Sequence, residues 1–218
     1  MHATALTTGA PRRLAHDGGC PRTRVRMRTG FTLIELLIVV TMMGIASAMV
    51  IPSMASVGVL RIQAAVRTLV GDITFIQSEA LANQSRYVMA FGRVTRFDTA
   101  SNQWKVVEGN GYTIFAPPIG ATTLDLASTL DVLFDPLDHG RPMSRDFDDA
   151  TYAGAQIQDA SFNNGVLLIY DELGGPVLAL TGDDPGAGGS VRVVGPDSAF
   201  RVDVDAFTGR VEVARVNP

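Results

Sequence analysis

Cysteine and histidine are nearly absent from this chain of 218 residues. Its only cysteine is Cys20, so no internal disulfide can form. Beyond residue 30 the sole histidine is His139, which excludes a metal centre built from histidine and cysteine and leaves only His139 for a Ser-His-Asp triad. His139 stands in a segment typical of an exposed turn. No glycine-rich loop is followed by the lysine and helix that a phosphate site needs. We therefore predict that the protein is not an enzyme and holds no cofactor.

Positive charge is also scarce after residue 30. The first 30 residues take six of the 18 basic residues and one of the 22 acidic residues, so the remaining chain carries a formal charge of −9. Phosphate contacts need lysine and arginine, and nucleic acid is therefore an unlikely partner for so acidic a chain. The acidic pairs Asp148-Asp149 and Asp183-Asp184 offer oxygen ligands that suit Ca²⁺, but neither pair has the spacing of an EF-hand. We predict solvated loop charge at both pairs and no metal site.

One long apolar segment follows this basic start. Residues Phe31–Ile51 contain Glu35 as their only charged residue. At about 1.5 Å per residue, a helix of this length spans roughly 31 Å, which is enough to cross the hydrocarbon core of a bilayer. We predict a membrane-spanning helix over residues 31–52. The segment before it carries a cluster of arginines, which favours a cytoplasmic location for that segment: Arg22, Arg24, Arg26 and Arg28.

The start of the apolar segment has the features of a processing site. Gly30 offers a small, accessible peptide bond at the boundary between polar and apolar sequence, and a carboxylate such as Glu35 inside a membrane helix is costly and usually functional. These features favour cleavage before Phe31. Two alternatives remain open: an uncleaved signal anchor, and a secretory signal peptide cut after Ala46-Ser47-Ala48. Glu35 would interrupt the apolar region of such a signal peptide.

The run Gly30-Phe31-Thr32-Leu33-Ile34-Glu35 resembles the class III signal of type IV pilins and type II secretion pseudopilins. The resemblance implies that residues 1–30 are a leader, that a prepilin peptidase cuts between Gly30 and Phe31, and that the new amine of Phe31 is methylated. It also implies that Pro52 kinks the helix. The apolar helix would anchor the protein once in the inner membrane, with the C-terminal domain in the periplasm.

Glu35 is the one residue to which we assign a functional chemistry. The resemblance makes it the acidic fifth residue of the processed chain. Alone in hydrocarbon, its carboxylate would be expensive or neutralised. In a helical filament the carboxylate of one subunit can approach the free amine of the next subunit's Phe31, which lowers the cost of both charges and sets the axial register. We therefore expect Glu35 to act in assembly with other pilins or pseudopilins.

Two changes of periodicity divide the rest of the chain. An apolar stripe predicts an amphipathic helix over residues 53–84, with Arg61, Arg67, Asp72 and Glu79 off the stripe: Val59, Ile62, Val66, Leu69, Ile73, Ile76 and Ala80. Residues 85–218 predict a β-rich domain, because short β-branched runs alternate with turn residues. The predicted fold is α+β, with a long N-terminal helix, first membrane-spanning and then amphipathic, packed on an antiparallel β-sandwich. Predicted strands include Trp104–Val107, Tyr112–Phe115, Val132–Phe134 and Val177–Leu180, and Pro136–Ala160 is predicted to be irregular.

Among pilin-like proteins the layout most resembles the GspH/FimT family of minor pseudopilins. The resemblance rests on Gln77-Ser78-Glu79-Ala80, on Val132–Pro136 followed by Gly140, and on Phe207-Thr208-Gly209-Arg210-Val211. It implies a non-enzymatic minor pseudopilin of a type II secretion system. The alternative is a FimT-like minor type IV pilin involved in pilus assembly or DNA uptake. Some FimT-type members use arginines at the last of these elements to receive DNA, but here Arg210 is followed by Glu212, which puts DNA binding in doubt. A signal-anchored periplasmic binding domain is a third possibility from a different class.

Overall fold

A computed structural model describes residues 30–138, 140–152 and 154–217, and the side chains of residues 48–57 lie outside this description. The chain forms two compact units that divide between Ile45 and Ala46. One helix, α1, runs from Leu33 to Asn83. Among the described residues of the second unit, nine strands and one short 3₁₀ turn follow it.

The second half of α1 is held by the predicted apolar stripe. Its members are buried against the sheets from Ile62 to Ala80, which confirms the stripe. The helix ends at Asn83 because Gln84 takes a left-handed conformation, with φ of 49°. The amide N–H of Ser85 then donates to the carbonyl of Ala80 at 3.3 Å, which is the six-to-one bond of a Schellman motif.

Two antiparallel sheets make up the rest of the second unit. The first has five strands in the order β3-β2-β1-β5-β6: β1 (Tyr87–Asp98), β2 (Gln103–Phe115), β3 (Ser144–Asp146), β5 (Leu167–Tyr170) and β6 (Pro176–Val177). The second has four strands in the order β4-β7-β8-β9: β4 (Gln156–Phe162), β7 (Gly189–Val194), β8 (Ala199–Val204) and β9 (Val211–Val216).

One buried cluster joins the helix to both sheets. It contains the stripe of α1, side chains such as Met89 and Tyr112 from the first sheet, and side chains such as Val191 and Val202 from the second. A smaller cluster lies on the other face of the first sheet, where Leu124 and Leu126 pack against it. The predicted α+β class, a helix packed on antiparallel sheets, is therefore confirmed.

The runs Trp104–Val107 and Tyr112–Phe115 lie in a strand, as predicted, although they form one strand, β2. Other predicted strand positions were wrong, since Val132–Phe134 form only isolated bridges. The run Val177–Leu180 leaves the sheet after Val177. The stretch Pro136–Ala160, predicted to be irregular, contains β3 and most of β4. Both missed strands lie at sheet edges, and most of their residues are polar. They form by backbone pairing with β2 and β7, and they lack the alternation of apolar and polar residues by which a strand is recognised in a sequence.

Candidate functional site

The candidate site is the first turn of α1 together with the three residues before it. Gly30, Phe31 and Thr32 precede the helix, which begins at Leu33. Thr32 is the N-cap: the amide N–H of Glu35 donates to its carbonyl at 3.1 Å and to its hydroxyl oxygen at 3.3 Å. Glu35 is the third residue of the helix, so its carboxylate lies next to the positive end of the helix dipole.

The helix beyond this cap is uncovered. Every described side chain from residue 31 to residue 47 is exposed, including large apolar ones such as Phe31, which is 81% exposed. Water opposes such exposure by roughly 25 cal/mol for each Å² of apolar surface, so this stretch needs a lipid or protein environment. In the described part of the chain, no helix has the length and apolarity needed to cross a membrane. The predicted span 31–52 includes residues 48–52, whose side chains lie outside that part.

The residues predicted to be processed are accessible. A side chain added at Gly30 would meet no atom of the described chain within 4 Å. The carboxylate of Glu35 is exposed and makes no hydrogen bond or ion pair with any described residue. The backbone is helical at Pro52, and the side chain there is not described, so the predicted kink stays a prediction.

The four loop carboxylates of the acidic pairs are exposed, and one carboxylate of each pair lies beside an arginine. Asp148 lies 3.3 Å from Arg96, and Asp183 lies 2.9 Å from Arg86. Among the described residues, no group of three or more histidine, cysteine, aspartate or glutamate side chains is placed to hold a metal ion. The prediction for His139 falls outside the described residues.

The arginine of the C-terminal turn is also paired. Arg210 lies 3.3 Å from Glu212 and is exposed. On the same sheet Arg192 pairs with Asp159 at 3.1 Å, and Arg201 pairs with Asp203 at 2.9 Å. Each of these three arginines therefore has an adjacent carboxylate, which weakens its attraction for a phosphate backbone.

Sequence reasoning missed a buried polar cluster around Asp72. Arg145 of β3 places Nε 2.9 Å from one carboxylate oxygen of Asp72, and the Tyr112 hydroxyl donates to the same oxygen at 2.9 Å. Burial raises the pKa of Tyr112, and the adjacent Asp72 carboxylate adds to this rise. Burial alone would lower the pKa of Arg145, but its hydrogen bond to Asp72 and the charge of that carboxylate raise it above its usual value.

The prediction that Asp72 lies off the stripe was therefore wrong, since the residue is buried. The spacing in the sequence indicates this burial, because Asp72 follows Leu69 by three residues and precedes Ile76 by four, which places all three on one face of the helix. The cluster ties α1 to β2 and β3.

A second missed residue, Gln77, ties α1 to one turn of each sheet. Its side-chain amide donates to the carbonyl of Gly174, in the turn between β5 and β6, at 2.8 Å. It also donates to the carbonyl of Thr208, in the turn between β8 and β9, at 2.8 Å. The segment Gln77-Ser78-Glu79-Ala80 thus meets the Phe207–Val211 segment in space.

Comparison with known proteins identifies one sequence motif in this chain. The family model for the prokaryotic N-terminal methylation motif matches residues 25–51. The chain therefore carries the signal of type IV pilins and pseudopilins, which implies processing by a prepilin peptidase, a membrane-anchored N-terminus and assembly with other pilin-like subunits. No curated protein and no solved structure matches the chain.

Proposed function

We propose that this protein is a non-enzymatic minor pseudopilin of a type II secretion system. The observation that carries the proposal is the methylation motif at residues 25–51, which coincides with a capped, uncovered apolar helix. In this proposal, α1 anchors the subunit once in the inner membrane and the β-rich domain lies in the periplasm. Cleavage between Gly30 and Phe31 frees the amine that is methylated. The processed subunit then joins a short filament that helps to move folded proteins outward.

The assembly step rests on two properties of the first turn of α1. Glu35 is exposed and has no partner among the described residues, so its carboxylate is free to meet the Phe31 amine of a neighbouring subunit. The apolar side chains around it are exposed as well, so helices of several subunits can pack there without displacing any contact of the described chain. Pairing the two charges lowers the cost of burying both.

The arginine pairs of the second sheet support this proposal over DNA uptake. A DNA receptor needs positive charges that are free to contact phosphates. Here Arg192, Arg201 and Arg210 each lie beside a carboxylate. Deletion of the gene separates the proposal from a minor type IV pilin: we expect loss of protein secretion, with twitching motility and transformation unchanged. Loss of motility or transformation with normal secretion would favour the pilus alternative.

The N-terminus of the membrane-bound protein tests the processing step. We expect a chain that begins at a methylated Phe31, measured by intact mass and N-terminal sequencing of membrane fractions. Gly30→Arg should leave the precursor uncut, and because no described atom lies near that position, a folding defect would not explain the result. Gly44→Ala, on the exposed helix, is the matched control and should be processed normally. A chain that begins at Met49 would identify ordinary signal peptidase cleavage and overturn the proposal.

A further inference from the structure

Three large apolar side chains are exposed at the end of the domain where α1 terminates. Leu81 on the last turn of α1 is 51% exposed, Leu173 between β5 and β6 is 83% exposed, and Phe207 between β8 and β9 is 79% exposed. Turn residues are usually polar, because turns lie in water. We call these three residues the turn-tip patch.

The three side chains of the turn-tip patch lie close together. The Leu81 side chain packs over Gly174, where a Cβ atom would stand 2.8 Å from Leu81 Cγ, and Gly174 is the neighbour of Leu173. Leu173 and Phe207 line one groove of about 360 Å³, which also includes Gln77. The patch therefore draws on three neighbouring elements: the last turn of α1, the turn after β5 and the turn after β8.

The turns that present the patch are rigid. A carboxylate oxygen of Asp171 accepts the N–H groups of Leu173 and Gly175 at 3.0 and 2.8 Å. Asp205 accepts the N–H groups of Phe207 and Thr208 at 3.1 and 2.8 Å, and these bonds lower its pKa, with the bonds from Thr208 the largest cause. A surface held in place before binding loses less entropy when it binds.

Negative charge surrounds the patch. The groove is lined by Asp171 and Asp183 and by no lysine or arginine of the described chain. Two cations lie near these carboxylates, and both are paired. Arg86 pairs with Glu172 and Asp183, and its side chain is only 14% exposed. Arg210, whose charge helps to lower the pKa of Asp205, pairs with Glu212. Asp171 and Asp205 form no ion pair with any described residue.

We propose that the turn-tip patch binds a different pilin-like subunit through an apolar segment flanked by lysine or arginine. The inference rests on the proposed function and adds a contact surface outside the N-terminal helix. A second copy of this chain is disfavoured, because the two acidic surfaces would repel each other. Anionic lipid headgroups would repel the surface for the same reason.

Crosslinking of the whole processed protein in cells that make its partner subunits tests the proposal. The photoreactive residue p-benzoylphenylalanine replaces Leu173, Phe207 or, as a control, Leu137. Leu137 is 97% exposed. It lies far from the patch, because the nearby Gly140 carbonyl accepts a hydrogen bond from Trp104 of β2, which pairs with Phe97 at the opposite end of β1 from Tyr87. We expect adducts with another methylation-motif subunit at Leu173 and Phe207, at least tenfold above the Leu137 yield. Peptide mapping should place lysine or arginine within a few residues of the linked position.

A double variant tests the apolar anchors. Leu173→Asp with Phe207→Asp should lower co-purification of the crosslinked partner at least tenfold, while Leu137→Asp should leave it unchanged. A few apolar anchors at the centre of an interface carry most of its binding energy, and a tenfold loss of affinity corresponds to about 1.4 kcal/mol. Melting temperatures of the variants should match that of the parent, because the replaced side chains are exposed.

Several results would overturn the proposal. These are equal yields at Leu137 and Leu173, an adduct with a second copy of this chain, an adduct with lipid alone, a partner segment without basic residues, or no adduct at all. If crosslinks from Leu36 on α1 and methylation at Phe31 persist in any of these cases, the turn-tip proposal alone fails. If the chain is neither cut at Gly30 nor methylated, the proposed function fails with it.

Discussion

Asp72 lies on the side of α1 that faces the sheets, and its buried carboxylate is stabilised by Arg145 and Tyr112. Asp72→Ala removes the acceptor of both Arg145 and Tyr112 and leaves a partly buried cation with only the more distant carboxylate of Asp135, 3.9 Å away. We expect the free energy of unfolding to fall by about 3 kcal/mol, because breaking a buried ion pair leaves one uncompensated charge. Urea denaturation of a fragment of residues 58–218, which we expect to be soluble because it lacks the uncovered apolar part of α1, measures it.

The matched control for this prediction is an exposed ion pair. Asp203→Ala breaks the pair with Arg201, whose side chains are half exposed, and exposed pairs contribute less than about 1 kcal/mol. A loss of equal size in the two variants would contradict the assigned role of Asp72.

Two buried tyrosines make the domain sensitive to high pH. Burial raises the pKa of Tyr170 and of Tyr112 above the value of about 10 that a tyrosine has in an unfolded chain. Above that pH the unfolded state binds fewer protons than the folded state, so stability falls as pH rises. We expect the urea midpoint to be constant from pH 7 to pH 9 and to decrease at higher pH.

Tyr170→Phe should reduce this loss of stability at alkaline pH. At neutral pH the same variant should be about 1 kcal/mol less stable, because the Tyr170 hydroxyl donates to the carbonyl of Gly209 at 3.2 Å. An unchanged slope above pH 10 would show that Tyr170 does not set the alkaline limit.

At the scale of elements, the stripe of α1 holds the two sheets together. Ile73 is fully buried in the shared cluster, and Thr74, the next residue, is exposed. Ile73→Asp should destabilise the fragment by several kcal/mol, because it places a charge in an apolar environment. Thr74→Asp makes the same change on the exposed face and should cost less than about 1 kcal/mol. Circular dichroism during urea denaturation measures both, and equal losses would mean that α1 packs by another face.

The pattern of apolar and polar side chains determined which of these elements could be predicted from the sequence. The stripe from Ile62 to Ala80 was readable, because burial on one helix face repeats every three or four residues. Strands β3 and β4 could not be predicted in this way, because β3 is Ser-Arg-Asp and the apolar residues of β4 alternate only weakly with polar ones at a sheet edge. Their place depends on pairing with β2 and β7, which are distant in sequence.

The sequence pattern located the candidate site, and the roles assigned to its residues stay predictions. Gly30, Phe31 and Glu35 belong to a contiguous signal that the family comparison also finds. The contacts of Asp72 and Gln77 join residues 73 and 131 positions apart, such as Asp72 with Arg145 and Gln77 with Thr208. No local pattern records such a partner, so these polar contacts appear only once the chain is folded.

At the scale of the whole molecule, the chain combines an uncovered apolar helix with an acidic domain. The charge of −9 beyond residue 30 disfavours contact between two copies of this domain, so we expect copies of this subunit to associate mainly through the helix. Glu35→Ala should still be cleaved, because Gly30 and the apolar helix are unchanged, but it should enter the filament poorly. The variant leaves the neighbouring Phe31 amine buried without a partner.

Glu35→Gln should lie between the alanine variant and the parent, because it keeps hydrogen bonding but not charge. Crosslinking to partner subunits and protein secretion are measured in the same strains, and methylation at Phe31 confirms that processing is intact. Normal crosslinking and secretion in the alanine variant would refute the pairing mechanism.

The two hydrogen bonds of Gln77 also determine where the domain can accept added sequence. One side-chain amide holds the turn after β5 and the turn after β8, so an insertion in either turn would move a carbonyl away from its donor. The turn between β1 and β2, at residues 99–102, is exposed and is fixed only by local bonds to Asp98 among the described residues. An epitope tag or fluorescent protein therefore belongs in that turn, where it leaves the helix and both sheets in register.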